Sequence, residues 1–505
     1  MHKTDTLILL VRSLSKAEKR RFRTYSRKSD YVAMFGIIEK DKEITAGELK
    51  KLFLKKKPGA SFEATSTYLY KLLLDALLAL REEQDNHYLL LNKILKAKIL
   101  YEKSLFEAAL DMLNQVKTVA EKYENHHAYL YAARLELEYL LALNFPNISE
   151  TELLNKHFKI KEILKTIRIG NEQSSLYELL KYRIIHQGNI RSIKQKEKLY
   201  DLVFSEMNIV ASSNINSFEI KKLHQLFQSN YLINIGDYKS ALQSYYELNK
   251  LFENNSHLWA NPPVYYVMAL EGILDNLRGI GKYDEMPYFI GQLKCFRHPS
   301  VNFQAEVAAL IFLYELFPLL DRGDFETSSV MMNRNKAGIL GKIQLLSLAR
   351  QAEIYLYEAL VHFGNKEPKK AHKAILQIVI RGKSFYSIPL YRTIRLVNLM
   401  IRYQTGDIDT IRYETRSLSR ILSQTEKAYK TERLMLQFLN KSQNLLLFQR
   451  EKLWKKTAPV LDSLRNDIFE RQILKLFDFT AFIEAELRRL PLHKVLAERN
   501  FLPRQ

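Results

Sequence analysis

The chain has 505 residues, with 77 Lys and Arg against 56 Asp and Glu, a net charge of +21. Its 16 glycines and 12 prolines make up about 6% of the residues, against roughly 12% in average proteins. That shortage excludes sandwiches, barrels and doubly wound sheets, which consume tight turns, and the 47% hydrophobic fraction excludes wholesale disorder. The expected fold class is all-α.

Residues 1–85 are expected to form a small helical N-terminal cap domain. Ser15-Lys16-Ala17-Glu18 and Thr45-Ala46-Gly47-Glu48 are capping-box patterns, each opening a short helix. Pro58-Gly59 breaks the chain. A longer helix is predicted from about Phe62 to Arg81, with Tyr68, Leu72, Leu73, Ala76 and Leu80 as its apolar stripe. Residues 1–60 hold 16 basic and 7 acidic side chains. Lys16, Lys19, Arg20, Arg21, Arg23, Arg27 and Lys28 surround one helix, and Lys50, Lys51, Lys55, Lys56 and Lys57 sit on another. Clustered cations on a helix-turn-helix are compatible with phosphate contacts to nucleic acid, and Arg20, Arg21, Arg23, Arg27 and Lys28 are the candidate residues.

From residue 86 to 480 one signature recurs: a helix end, Gly, then Asp, Asn or Lys, then an aromatic or branched residue. It stands at Gly188-Asn189-Ile190, Gly236-Asp237-Tyr238, Gly281-Lys282-Tyr283, Gly323-Asp324-Phe325 and Gly406-Asp407-Ile408. A weaker copy is Gly364-Asn365 and a degenerate one is Ser104-Leu105-Phe106. From Gly188 the spacings are 48, 45, 42, 41 and 42, and the 84 residues between Ser104 and Gly188 place a decayed copy near Asn144-Phe145. Gly ends a helix in the left-handed conformation, and the adjacent Asp or Asn caps the next one. The aromatic packs back between the helices, and a small residue three positions on, Ala241 or Ala109, lets them approach.

These residues resemble a tetratricopeptide repeat. Gly236-Asp237-Tyr238-Lys239-Ser240-Ala241-Leu242-Gln243-Ser244-Tyr245-Tyr246 is the nearest match, although the period is about 42 where the family's is about 34. The family's small residue in the first helix is Ser229 and Ala97 here, but Leu274, Leu316 and Leu399 in other copies. The resemblance implies a divergent tetratricopeptide-repeat-like (TPR-like) solenoid, an α-α superhelix of about eight to nine helical hairpins. It also implies that the first helix of each hairpin lines a concave face. Residues six, three and two positions before each turn select Tyr182, His186, Asn230, Asn234, Asp275, Arg278, Glu358, His362, Tyr403 and Gln404 as partner-binding residues. Such a wall suits capture of an extended peptide or a partner helix.

Residues 481–505 are expected to form a C-terminal capping helix and tail, with Phe482, Leu487, Leu490 and Leu492 sealing the last hairpin. No catalytic motif emerges. Gly382-Lys383-Ser384 ends like a P-loop, but Gln377 stands where the first glycine is required. His126-His127 has no carboxylate at ligand spacing, and His362 and His372 fall on different predicted helices. The single cysteine, Cys295, excludes an intramolecular disulfide and reads as a buried small apolar residue. The apolar run Leu7–Val11 is too short for a secretory segment, and no uninterrupted apolar stretch approaches membrane-spanning length. The expectation is a non-enzymatic cytoplasmic scaffold without cofactor, metal or membrane partner. It would bind a protein or peptide; the alternative is a regulator whose basic N-terminal module contacts nucleic acid.

Overall fold

The computed structural model of the chain describes residues 3–25, 30–41, 44–82, 85–187, 190–212, 217–379, 390–424, 428–441 and 446–500. The described residues form helices and turns, with no strand among them, so the chain is all-α. Arg27, Lys28, Gly188, Asn189 and Gly382-Lys383-Ser384 lie outside the described residues. Contacts divide the chain into two compact units: Met1–Ile169 with His257–Pro262 and Arg297–Gln304, and Gly170–Ser256 with Pro263–Phe296 and Ala305–Gln505. The boundary expected at 85 falls inside the first unit, and the one at 480 inside the second.

In the first unit, α1 (Lys3–Ser13), α2 (Lys16–Tyr25), α3 (Asp30–Lys40), α4 (Ala46–Lys56) and α5 (Phe62–Glu82) surround one apolar core that includes Val11, Phe22, Phe35, Phe53 and Leu73. Both capping boxes form. The Ser15 amide donates to Glu18 Oε2 at 2.7 Å and the Glu18 amide returns to Ser15 Oγ at 3.2 Å; Thr45 and Glu48 do the same for α4. The buried seam of α5 is Phe62, Leu69, Leu73 and Ala76. Tyr68, expected inside, is 53% exposed, because it sits one position off that seam. Next come α6 (Asn86–Glu102), α7 (Phe106–Lys122) and α8 (His126–Ala142), and α9 (Glu150–Gln187) contains the division between the units. Leu90, Ile94, Leu113, Val116 and Ala132 form the core of α6 to α8.

The second unit continues with α10 (Ile193–Glu197), α11 (Tyr200–Ser212), α12 (Phe218–Asn234), α13 (Tyr238–Asn254), α14 (Val264–Gly279), α15 (Met286–Cys295) and, from Ala305 on, α16 (Val301–Asp321). Then follow α17 (Phe325–Ile339), α18 (Leu348–Gly364), α19 (Pro368–Val379), α20 (Tyr391–Thr405), α21 (Ile408–Gln424) and α22 (Lys430–Lys441). The chain closes with α23 (Leu447–Asn466), α24 (Arg471–Leu476), α25 (Phe479–Arg488) and α26 (Leu492–Asn500). α16 is long and apolar enough to cross a membrane, but Leu310, Leu313, Leu316 and Phe317 pack it into the protein core.

The turns carry the sequence signature into backbone geometry. Gly236, Gly281, Gly323 and Gly406 all have φ between +72° and +82°. At Gly323 the glycine amide bonds the carbonyl of Leu320 and the Asp324 amide bonds that of Leu319, at 3.0 and 2.9 Å. Equivalent paired bonds close the turns at Gly236, Gly281 and Gly406, and also at Ser104 and Asn144, where the residues are not glycine but φ is positive. The copy expected near Asn144 is therefore present. Asp237, Asp324 and Asp407 cap the following helix, accepting from the amides of Ser240, Thr327 and Thr410. The small residues after the turns, Ala109, Ala241, Ser328 and Ala371, are fully buried.

One copy is displaced. Gly364 is the last residue of α18, and the left-handed residue is Lys366, with φ of +60°. What Gly364 provides instead is room, since a Cβ there would stand 2.2 Å from the Phe325 ring. The aromatic that follows the Gly323 turn thus docks on the next first helix. Tyr238 docks on Gly279 in the same manner.

Candidate functional site

Asp275 and Arg278 lie on the last turns of α14, just before the Gly281 turn. Around them on the same helix Ile273, Leu274 and Leu277 are fully buried. Arg278 is 2% exposed. Its Nε and Nη2 donate to the two Asp321 oxygens at 2.9 Å each, and its Nη1 donates to Tyr357 Oη at 3.2 Å. The guanidinium also lies 3.8 Å from the Phe317 ring centroid. Tyr283, the aromatic of the Gly281 turn, donates its hydroxyl to Asp321 at 2.9 Å. Burial alone would lower the Arg278 pKa, but the Asp321 carboxylate outweighs it and holds the cation protonated. Burial pushes the Tyr357 phenol up to about 12. Asp275 accepts from Lys475 Nζ at 2.6 Å. Burial works to lower Lys475 and the Asp275 carboxylate reverses it, so the ammonium is kept charged.

Lys475 belongs to α24, 200 positions away from Asp275, and it introduces the main feature of this face. Residues 467–500 lie along the helix ends that carry the repeated turns. The Ile468 carbonyl abuts Gly236, leaving only 2.7 Å for a Cβ. Gln472 Nε2 donates to the Ile233 carbonyl at the end of α12, at 2.8 Å. Glu470 takes the amides of Lys430 and Thr431, capping α22 at 2.9 Å each. Leu474, Phe477 and Asp478 line a small cavity with Arg278, Asp321 and Tyr357. Phe482 contacts the rings of Phe363, Tyr403 and Phe438 at 5.8 to 6.1 Å, and His493 with Leu496 covers Gly323. Asp478 is pushed up by burial, yet the Arg499 charge and the bonds from Thr480, Arg499 and the Ala481 amide bring its pKa below the ordinary value. Phe482 and Leu487 are buried, as expected of sealing residues.

The positions chosen from the turn offsets therefore divide into four groups. Asp275, Arg278 and Tyr403 meet the chain's own residues 474–482. Asn230 and Asn234 are each 8% exposed and hydrogen-bonded within the second unit. Asn230 accepts from Lys181 at 2.6 Å, and each amide donates to the carbonyl four residues earlier. His362 is tied to Glu367 at 2.7 Å, within the Lys366 turn, and Glu358 is half-buried on the same helix. Tyr182, His186 and Gln404 are exposed; the Tyr182 and His186 rings contact at 4.3 Å. A wall of ten side chains open to a partner is not what the structure places there. Arg278 in particular is enclosed, because the carboxylate that neutralises it comes from the end of α16.

Beside residues 472–476 lies an open cleft of about 410 Å³ that the turn offsets did not select. Arg191, Glu271, Asp275, Arg350, Glu353, Arg392, Glu432 and Lys475 line it, with Ser347 and Ala349 at exposed positions. Arg350 Nη2 reaches Glu271 at 2.7 Å. Burial raises the Glu353 and Glu432 carboxyls above the ordinary range. For Glu432 the burial is opposed by the Arg392 charge, the Tyr429 amide and the Arg191 charge. Arg191 sits over the Tyr429 ring at 4.2 Å, with Nε and Nη1 buried and without a hydrogen-bond partner among the described residues. The legible signal was the charge itself: Glu271 and Asp275 interrupt an apolar helix four residues apart.

Cys295, expected in the core, is exposed at the end of α15, since Phe289, Ile290 and Leu293 occupy the buried side of that helix. Among the described residues no three His, Cys, Asp or Glu side chains are grouped to hold a metal ion. Of the basic N-terminal candidates, Arg20 is exposed, Arg21 is half-buried, and Arg23 is exposed but ion-paired to Glu39. Compared with known proteins, the chain matches no family and no curated relative.

Proposed function

We propose that this chain is a non-enzymatic scaffold: TPR-like hairpins stack as a superhelix and hold a protein or peptide partner on the inner face. The supporting regularity is the left-handed turn with its two closing bonds, repeated at Gly236, Gly281, Gly323, Lys366 and Gly406. Stacked hairpins bury their apolar stripes against their neighbours and leave one continuous face of first helices.

The observation that carries the reading is the way residues 467–478 are held. Gln472 bonds a helix-end carbonyl, Glu470 bonds helix-start amides, and Lys475 meets Asp275. This is capture of a peptide segment by helix termini and a few inward charges, and a partner segment would use the adjoining ionic cleft in the same manner. Ala349→Trp, at an exposed position of that cleft, tests it. Affinity capture from native lysate with the wild-type chain should retain a discrete partner that Ala349→Trp loses at unchanged melting temperature. Equal retention by both chains would count against the cleft as the binding place.

A further inference from the structure

We propose that α4, the turn after it and the first half of α5 form a docking face for double-stranded DNA. This stands apart from the scaffold reading and concerns the other unit of the chain. α4 buries Leu49 and Phe53, and α5 buries Phe62, Leu69 and Leu73 in the same core. Phe53 and Phe62 meet edge to face at 6.0 Å across the turn. The pair is thus a helix, a turn and a helix held by one core, and what it presents outward is set by the remaining positions.

On α4 and its C-cap these are Lys50, Lys51, Lys55, Lys56 and Lys57, all exposed. Lys50 pairs with Glu63 and Lys57 with Asp30. Lys51, Lys55 and Lys56 form no ion pair among the described residues. On α5, Ala64, Thr67, Tyr68 and Lys71 are exposed at the i, i+3, i+4, i+7 spacing of one helix face. That face combines small, hydroxyl-bearing and cationic side chains and begins where Ser61 Oγ caps the Ala64 amide at 3.3 Å. In helix-turn-helix docking the second helix enters the major groove by its N-terminal residues while the first crosses the backbone. Here α5 has the face for the groove and α4 the lysines for the phosphates. Arg23, the centre of the candidate set on α2, is occupied by Glu39, whereas α4 and its C-cap carry three exposed lysines with no ion pair among the described residues.

The probe is a fluorescently labelled mixed-sequence duplex of about 20 base pairs, titrated with the full chain and read by anisotropy at about 50 and 200 mM salt. Binding should weaken steeply with salt. Lys51→Glu with Lys55→Glu and Lys56→Glu should lower affinity at least about tenfold and flatten the salt slope by about 2 to 3, one for each lost phosphate contact. Thr67→Glu with Lys71→Glu should weaken binding as well. The control is Lys96→Glu with Lys98→Glu and Lys103→Glu on α6, which removes the same charge and should bind like wild type; circular dichroism confirms that each chain is folded. No binding at the lower salt overturns the proposal. So does equal loss in the α4 and α6 variants, which would mean attraction by net charge alone. Duplex RNA bound as tightly as DNA would also overturn it, because the narrow A-form major groove does not admit a helix.

Discussion

Breaking the Arg278–Asp321 pair should be among the most damaging single changes available in the second unit. Asp321→Asn keeps the shape of the side chain but removes its charge, so a guanidinium that is 3% exposed at the side chain loses the carboxylate it is bonded to. The carboxamide also cannot accept at both oxygens, so it loses either the Nε or the Nη2 bond from Arg278, and the Tyr283 hydroxyl competes for what remains. Removing one partner of a buried ion pair costs about 3–5 kcal/mol. Replacing both is different. Arg278→Met with Asp321→Leu removes both charges of the pair, while the Tyr283 and Tyr357 hydroxyls lose their bonds to it, at about 1–3 kcal/mol each. The double variant should therefore be close in stability to Asp321→Asn despite losing more hydrogen bonds. Urea unfolding of the full chain, followed by far-ultraviolet circular dichroism, measures all three proteins. A loss below about 1 kcal/mol for Asp321→Asn, or a double variant far less stable than the single, would refute the reasoning from a buried charge.

Two further outcomes follow from the same face. Gly406→Ala and Gly323→Ala place an alanine at nearly the same positive φ, +72° and +76°, which alone costs about 1–2 kcal/mol. Only Gly323 is crowded: its new Cβ would lie 2.8 Å from the His493 Cα and carbonyl, so Gly323→Ala should be the more destabilising by about 1–3 kcal/mol and should expose α26 to proteolysis; equal melting temperatures would show that residues 493–496 do not rest there. Asp478→Asn should destabilise at neutral pH. The folded-state pKa of Asp478 is below its ordinary 3.8, so its contribution is present above that value and fades as pH falls through the lower one; the gap in melting temperature between wild type and variant should close in acid, and a pH-independent gap would assign the loss to packing instead.

Much of the all-α architecture was legible because its punctuation is local. A turn glycine, the capping aspartate beside it and the small residue three positions into the next helix lie within six residues. Asn144 could be placed by counting from Ser104 because the left-handed turn repeats even where glycine has been replaced. The Gly364 copy shows the limit of that reading. Its glycine is needed for the Phe325 ring rather than for a positive φ, and from sequence alone the two demands look the same.

The site was legible in its face but not in its occupant. Counting back from Gly281 selects Asp275 and Arg278, and both do turn toward bound side chains rather than bulk water. What meets them, Lys475 and Asp321, comes from 200 and 43 positions away, and pairing over such distances leaves no spacing to count. It leaves a chemical trace instead. An ionised side chain in a buried apolar helix requires a counter-charge, so Glu271, Asp275 and Arg278 within α14 already demand partners of opposite sign from elsewhere in the chain. Read as a demand for partners, those three residues point inward to the protein itself first. Only charges left over after the internal pairs are made point to a molecule from outside.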